Sequence, residues 1–115
     1  MRTKKTIRPW GEYIILEETS SYKLKRIIIY PKQRISYQYH TKRSEIWIIV
    51  KGAGIVTLDD VENTVSYGDS IKIPLNTKHR IQNTSNENLV FIEVQTGEYF
   101  GEDDIIRIED DYNRL

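Results

Sequence analysis

Gln38-Tyr39-His40-Thr41-Lys42-Arg43-Ser44-Glu45 contains one of the two histidines of the chain; the other, His79, stands five residues after Pro74. Gln38 and His40 are two apart, and Glu45 follows five residues after His40. In a β-strand residues i and i+2 share a face, so Gln38 and His40 point one way while Tyr37 and Tyr39 point the other. Thr41 to Ser44 suffice for a hairpin loop. Glu45 would then open the next strand as a cross-strand neighbour about 5 Å from His40. His79 opens a later strand, beyond the turn from Leu75 to Lys78. Taken singly, each histidine reads as an ordinary polar residue at a strand end. Taken together, two imidazoles, a carboxylate and an amide oxygen form a mixed N/O donor set suited to a divalent ion such as Zn, Mn, Co, Ni or Fe. A catalytic version of such a site keeps a position open for water or substrate.

Outward from this stretch the chain reads as short strands. Glu12 to Glu17, Tyr22 to Tyr30 and Arg34 to Tyr39 are rich in Ile and Tyr and are divided by the turns Glu18–Ser21 and Pro31-Lys32-Gln33. Glu45 to Val50 is nearly all apolar, as expected of a strand buried on both faces. Gly52-Ala53-Gly54, Asp59-Asp60 and Gly68-Asp69 punctuate the strands that follow, and Lys78–Asn83 and Asn88–Gln95 are the last clear ones. No segment before residue 100 carries an apolar stripe at helical spacing. Some nine or ten strands with frequent turns predict an antiparallel sandwich or barrel. The acidic tail, Gly101 to Leu115, is compatible with a strand or a short helix packed on it.

With 115 residues, the chain is expected to form one domain over 1–115, with a core at about 23–96. Lysine plus arginine and aspartate plus glutamate each count 17. This balance gives no electrostatic reason to expect nucleic acid or membrane as a partner. There is no cysteine, hence no disulfide framework and no thiolate metal site, which fits a cytoplasmic protein. No segment approaches the roughly 18 apolar residues needed to cross a bilayer, and no apolar signal-type run follows the basic N-terminus.

Gln38-x-His40-x4-Glu45-x6-Gly52 resembles the first cupin motif, with Gln in place of its first His, and Gly68-x5-Pro74-x-Asn76-x2-His79-x3-Asn83 resembles the second. Asn76 replaces a glycine of the motif, and Asn tolerates a left-handed backbone better than most residues. Lys32 replaces the glycine that usually opens the first motif. The resemblance implies an all-β cupin, a double-stranded β-helix or jelly-roll barrel. In it Gln38, His40, Glu45 and His79 bind a divalent metal, zinc ahead of Mn, Co, Ni or Fe.

A narrower likeness covers nearly the whole chain. Arg8-Pro-Trp-Gly11, Lys25-Arg26-Ile27, Ser36-Tyr-Gln-Tyr-His40, Arg43-Ser-Glu-Ile-Trp47, Ile92-Glu-Val-Gln95 and Gly97-Glu-Tyr-Phe-Gly-Glu-Asp-Asp-Ile105 resemble the type II phosphomannose isomerase domain. So does Arg107-Ile-Glu-Asp-Asp-Tyr-Asn-Arg114, with Asn113 where Gly is usual. Ile46 stands where that family commonly has His. The domain is often fused behind a guanylyltransferase, but this chain has no Gly-rich nucleotide loop, so nucleotidyl transfer is not expected of it.

The likeness implies interconversion of mannose 6-phosphate and fructose 6-phosphate through an enediol, a phosphosugar as the small-molecule partner, and a homodimer of the kind small cupins form through their edge strands. A phosphate dianion needs a cation, best an arginine fork. Arg43, between two ligands, ranks first for that contact and Arg107 second; Lys42 and Arg80 read as solvated surface charges. Glu98 or Glu102 could act as general base if burial raised its pKa, against a reading of Glu98 to Asp104 as an acidic surface turn. Trp10 and Trp47 read as core. The competing readings are a non-catalytic sugar- or sugar-phosphate-binding cupin and a different cupin enzyme.

Overall fold

A computed structural model describes residues 4–114. Eleven strands run along the chain: β1 (Lys5–Arg8), β2 (Gly11–Glu18), β3 (Tyr22–Ile29), β4 (Tyr37–Tyr39), β5 (Arg43–Lys51), β6 (Ala53–Leu58), β7 (Val61–Ser66), β8 (Ser70–Ile73), β9 (His79–Asn83), β10 (Leu89–Gly97) and β11 (Ile106–Glu109). They form two antiparallel sheets, β1-β2-β3-β10-β5-β8 and β11-β4-β9-β6-β7, so the all-β expectation holds. Among the described residues no helix is long and apolar enough to cross a membrane.

The turns obey their residues. Asp59 and Asp60 both have positive φ, 44° and 70°, which is what a two-residue hairpin between β6 and β7 requires. Lys32, Asn76 and Asn113, the three positions where the sequence departs from a motif glycine, have φ of 65°, 63° and 59°. The left-handed backbone is kept and only the residue type has changed. Gly97 is less replaceable: at φ 147° a Cβ there would lie 2.3 Å from the carbonyl oxygen of Lys42.

Three expectations are corrected. First, β4 and β5 lie in different sheets, so no hairpin loop joins them: the chain crosses between the sheets over residues 40–42, and Arg43 and Ser44 already belong to β5. Glu45 is therefore no cross-strand neighbour of His40; its partners are Gln95 on β10 and Ile73 on β8. Second, β5 is buried on one face only. Arg43, Glu45, Trp47 and Ile49 point inward, while Ile46, Ile48 and Val50 are 41%, 42% and 39% exposed. A sheet covered on a single side leaves its other face to solvent, whatever the hydropathy of the run. Third, the strand read from Arg34 to Tyr39 shrinks to β4, with Arg34 making only an isolated bridge to Gln82. In the tail, the open choice between strand and helix falls to a strand, β11, paired with β4.

The interior is graded from apolar to polar along the strands. On β3, β10 and β5 the inward residues run Ile29-Ile27-Lys25-Lys23, Leu89-Phe91-Glu93-Gln95 and Ile49-Trp47-Glu45-Arg43. The register sets Glu93 beside Lys25 and Trp47, and Gln95 beside Lys23 and Glu45. One end of the barrel is thus an apolar plug and the other a buried set of charges, and the site lies at the charged end.

Candidate metal centre

The ligand-type atoms of His40, Glu45 and His79 lie within 4.8 Å of one another, and all three residues are buried. Each comes from a different element: His40 just past β4, Glu45 from β5 in the facing sheet, and His79 from the start of β9. His40 Nδ1 faces the main-chain oxygen of Asp104 at 2.7 Å, and His79 Nδ1 faces that of Thr77 at 2.8 Å. A carbonyl can only accept, so in each neutral ring Nδ1 carries the hydrogen and Nε2 the lone pair.

Both Nε2 atoms are aimed at Glu45, His40 at 3.2 Å from Oε2 and His79 at 3.9 Å from Oε1. His79 Nε2 is buried and has no hydrogen-bond partner. Burial, the largest influence on His79, pushes its pKa down and favours the neutral, lone-pair form. A buried acceptor with nothing to accept, beside a carboxylate and a second imidazole lone pair, fits a metal ion. Gln38 pairs with His79 across β4 and β9 and faces the same cavity as Glu45; its amide oxygen accepts from Ser36 Oγ at 2.9 Å.

Glu45 is 2% exposed and surrounded by donors. Arg43 Nε donates to Oε2 at 3.0 Å, and the Trp47 indole donates to Oε1 at 3.0 Å. Burial opposes its charge, but His40 and His79 in their protonated form, together with Arg43, hold the carboxyl well below the usual carboxylate range. Glu93 has the opposite fate. It accepts from Trp47 Nε1 at 3.1 Å and from Gln95 Nε2 at 2.8 Å, and burial, reinforced by the Glu45 charge, pushes its carboxyl up to about 8. One site thus holds one carboxylate committed to ionisation and one kept neutral near pH 7.

Asp104 fixes the segment that carries His40. Its carboxylate accepts from the Thr41 N–H and hydroxyl and from the Lys42 N–H at 2.9–3.2 Å, while its carbonyl holds the His40 ring. Burial works against its charge, yet these donors keep its pKa below the ordinary value. Partners that orient a ligand from behind typically contribute about 10- to 100-fold in metal affinity. Asp104→Ala is therefore expected to weaken metal affinity by about that factor in a protein that still folds, as read by titration against a chelator of known affinity.

Of the three, Glu45 lies on the wall of a cavity with about 590 Å³ of space between its atoms, its open mouth included; His40 and His79 lie behind that wall. Among the residues expected at the site, Gln38, Arg43, Glu45, Glu102 and Arg107 line it. Arg43 does so as a buried strand residue, 3% exposed, and not from a loop. Besides Glu45 it donates to His40 Nε2 at 3.3 Å and to the Gly101 carbonyl at 3.3 Å. Glu102 is paired with Lys25 and lies 3.8 Å from Lys23. Burial opposes its charge, but Lys25, Arg43 and Lys23 hold it below its usual pKa, so the rise that burial alone would cause does not occur.

Glu98 is exposed and lies outside the cavity, which separates it from the metal cluster. Lys42 is exposed, as expected. Arg80 is not: it is 6% exposed and ties the Ile35 carbonyl to Glu109.

Lys23, Lys25, Glu93, Gln95 and Asp104 are the site residues that sequence reasoning left out. A signal existed for two of them, since Phe91-x-Glu93-x-Gln95 alternates with Ile92 and Val94. Alternation does not say which face is inside, and the apolar set invites the wrong choice.

Comparison with known proteins agrees with the sequence resemblance. Over residues 1–110 the chain matches the family described as mannose-6-phosphate isomerase C-terminal. It is 41% identical over 111 residues to the xanthan biosynthesis protein XanB of Xanthomonas campestris pv. campestris (strain B100), covering 96% of this chain and 24% of that protein. It is 39% identical over 111 residues to a mannose-1-phosphate guanylyltransferase of Salmonella montevideo, again with 96% and 24% coverage. The chain thus spans about a quarter of the length of these relatives. A solved structure from Klebsiella pneumoniae subsp. pneumoniae, described as having a double-stranded beta-helix domain, superposes with a TM-score of 0.79 at 16% identity, covering 91% of this chain and 90% of that one. The fold is the double-stranded β-helix of the cupins.

Proposed function

The chain belongs to the mannose-6-phosphate isomerase C-terminal family, and on that premise we propose that it interconverts mannose 6-phosphate and fructose 6-phosphate with the help of a bound divalent metal. The observation that carries the reading is the convergence of His40, Glu45 and His79, with Glu45 also on the wall of a cavity rich in basic side chains. These three, with Gln38, would hold the ion, zinc ahead of Mn, Co, Ni or Fe. When bound, such an ion polarises a carbonyl and offsets the negative charge that develops on the sugar oxygens as a proton moves between C1 and C2.

The protein's own groups do the rest. Trp47 and Arg43 hold the Glu45 carboxylate in place. The Asp104 and Thr77 carbonyls fix the two imidazole tautomers. Glu102, on the cavity wall and ionised in its pair with Lys25, is our assignment for the carboxylate that takes up the proton. The reading goes with a cytoplasmic protein acting on a small phosphosugar.

The test is a coupled assay for fructose 6-phosphate formed from mannose 6-phosphate, run on metal-supplemented and chelated protein. Turnover is expected with metal and is expected to vanish on chelation. Metal-replete protein that binds mannose 6-phosphate without converting it would replace this reading with that of a non-catalytic sugar-phosphate-binding cupin.

A further inference from the structure

The cavity wall carries basic side chains that are paired with carboxylates and others that are not. Arg43 is committed to Glu45, His40 and Gly101, and Lys25, with Lys23 behind it, to Glu102. The wall also carries Arg8 from the end of β1, Arg107 from β11 and Arg114 from the C-terminal segment. Among the described residues Arg107 makes no side-chain hydrogen bond or ion pair, and its Nε is buried without a partner. Arg8 reaches only the Ile7 carbonyl at 3.1 Å and the Tyr13 hydroxyl at 3.5 Å. Arg114 is held by both oxygens of Asp110, at 2.8 and 3.1 Å. Among the described residues, then, Arg114 alone of the three has a carboxylate partner, while Glu102 on the same wall is already shared by Lys25 and Lys23. Burial first, and then the charges of Arg114 and Arg8, push the pKa of Arg107 down. A bound anion relieves that repulsion.

We propose that Arg8, Arg107 and Arg114 form a cradle for a phosphate dianion, holding a phosphosugar by its phosphate while its other end faces the His40–Glu45–His79 cluster; this rests on the phosphosugar reading of the cavity. Arginine forks match phosphate oxygens two at a time, and two guanidinium groups with no carboxylate partner suit a dianion. The assignment moves the phosphate away from Arg43, each of whose three nitrogens already has a partner. It also gives the two ends of the chain a role that the central strands do not supply.

The test uses the full chain and two probes, inorganic phosphate and mannose 6-phosphate. In the unaltered protein, phosphate is expected to shift the Nε–Hε resonances of Arg8, Arg107 and Arg114 but not that of the exposed Arg26. R107Q and R114Q are each expected to bind phosphate about 10- to 100-fold more weakly, with metal uptake unchanged and R107K recovering part of the loss. Folded variants with unaltered phosphate affinity would overturn the cradle. So would phosphate that moves none of the three arginine resonances, a readout that does not depend on any variant folding. The two readings fail separately. Phosphate held by these arginines without turnover removes the isomerase and keeps the cradle, whereas turnover with unchanged KM in R107Q and R114Q removes the cradle and keeps the isomerase.

Discussion

Glu45→Gln is expected to abolish metal uptake and to destabilise the metal-free protein by about 3–5 kcal/mol, the usual consequence of removing one member of a buried ion pair. Glutamine keeps the size of the side chain and an oxygen for the Trp47 indole, so packing changes little. What disappears is the charge. Arg43, 3% exposed, then keeps only neutral acceptors, the Gly101 carbonyl and the His40 ring. Part of the loss is offset by Glu93. Its carboxyl stands at about 8 through burial and then through the charge on Glu45; with that charge gone it ionises more readily and faces the same guanidinium. The destabilisation should therefore shrink as pH rises through neutrality. Urea unfolding in the presence of chelator reads the stability, and metal content after dialysis reads the uptake. A variant that retains one equivalent of metal would remove Glu45 from the ligand set.

Trp47 is the second position of large effect, because one side chain serves both core and site. It is 1% exposed, its ring centroid lies 4.8 Å from that of Phe91 and 5.6 Å from that of His79, and its N–H is shared between Glu45 and Glu93. Trp47→Ala removes packing and donor together, with an expected cost of about 3–5 kcal/mol. Trp47→Phe keeps most of the packing and leaves two buried carboxyl oxygens short of a donor. Its expected cost is about 1–3 kcal/mol, with metal affinity lowered by about tenfold as Glu45 loses an orienting contact. Unfolding curves and chelator competition on the two variants separate packing from orientation. Equal metal affinity in Trp47→Phe and the unaltered protein would show that the indole does not position Glu45.

Much of this arrangement is legible before any coordinates. Asp59-Asp60 announces a two-residue hairpin, and Asn76 and Asn113 stand where a motif glycine would otherwise supply positive φ. The residues that converge on the candidate centre also stand out, because the chain has only two histidines and each lies at a motif spacing. These features are local. A turn depends on the φ its own residues tolerate, and a donor set on which atoms carry lone pairs.

Faces and neighbours are a different matter. Tyr22-Lys-Leu-Lys25 reads with equal ease as Leu24 inside or as the two lysines inside, and the structure takes the second choice. The continuous apolar run of β5 hides an exposed face, and the crossover after His40 passes for a hairpin. Period-2 alternation is symmetric between the faces of a strand, and strand pairing joins residues far apart in sequence. Sequence alone determined the Asp59-Asp60 turn, the all-β character and the list of candidate metal donors. Only the tertiary structure decided that His40, Glu45 and His79 face one another across two sheets, that Lys25 and Glu93 are buried beside them, and that Arg8 and Arg114, from opposite ends of the chain, share a wall with Arg107.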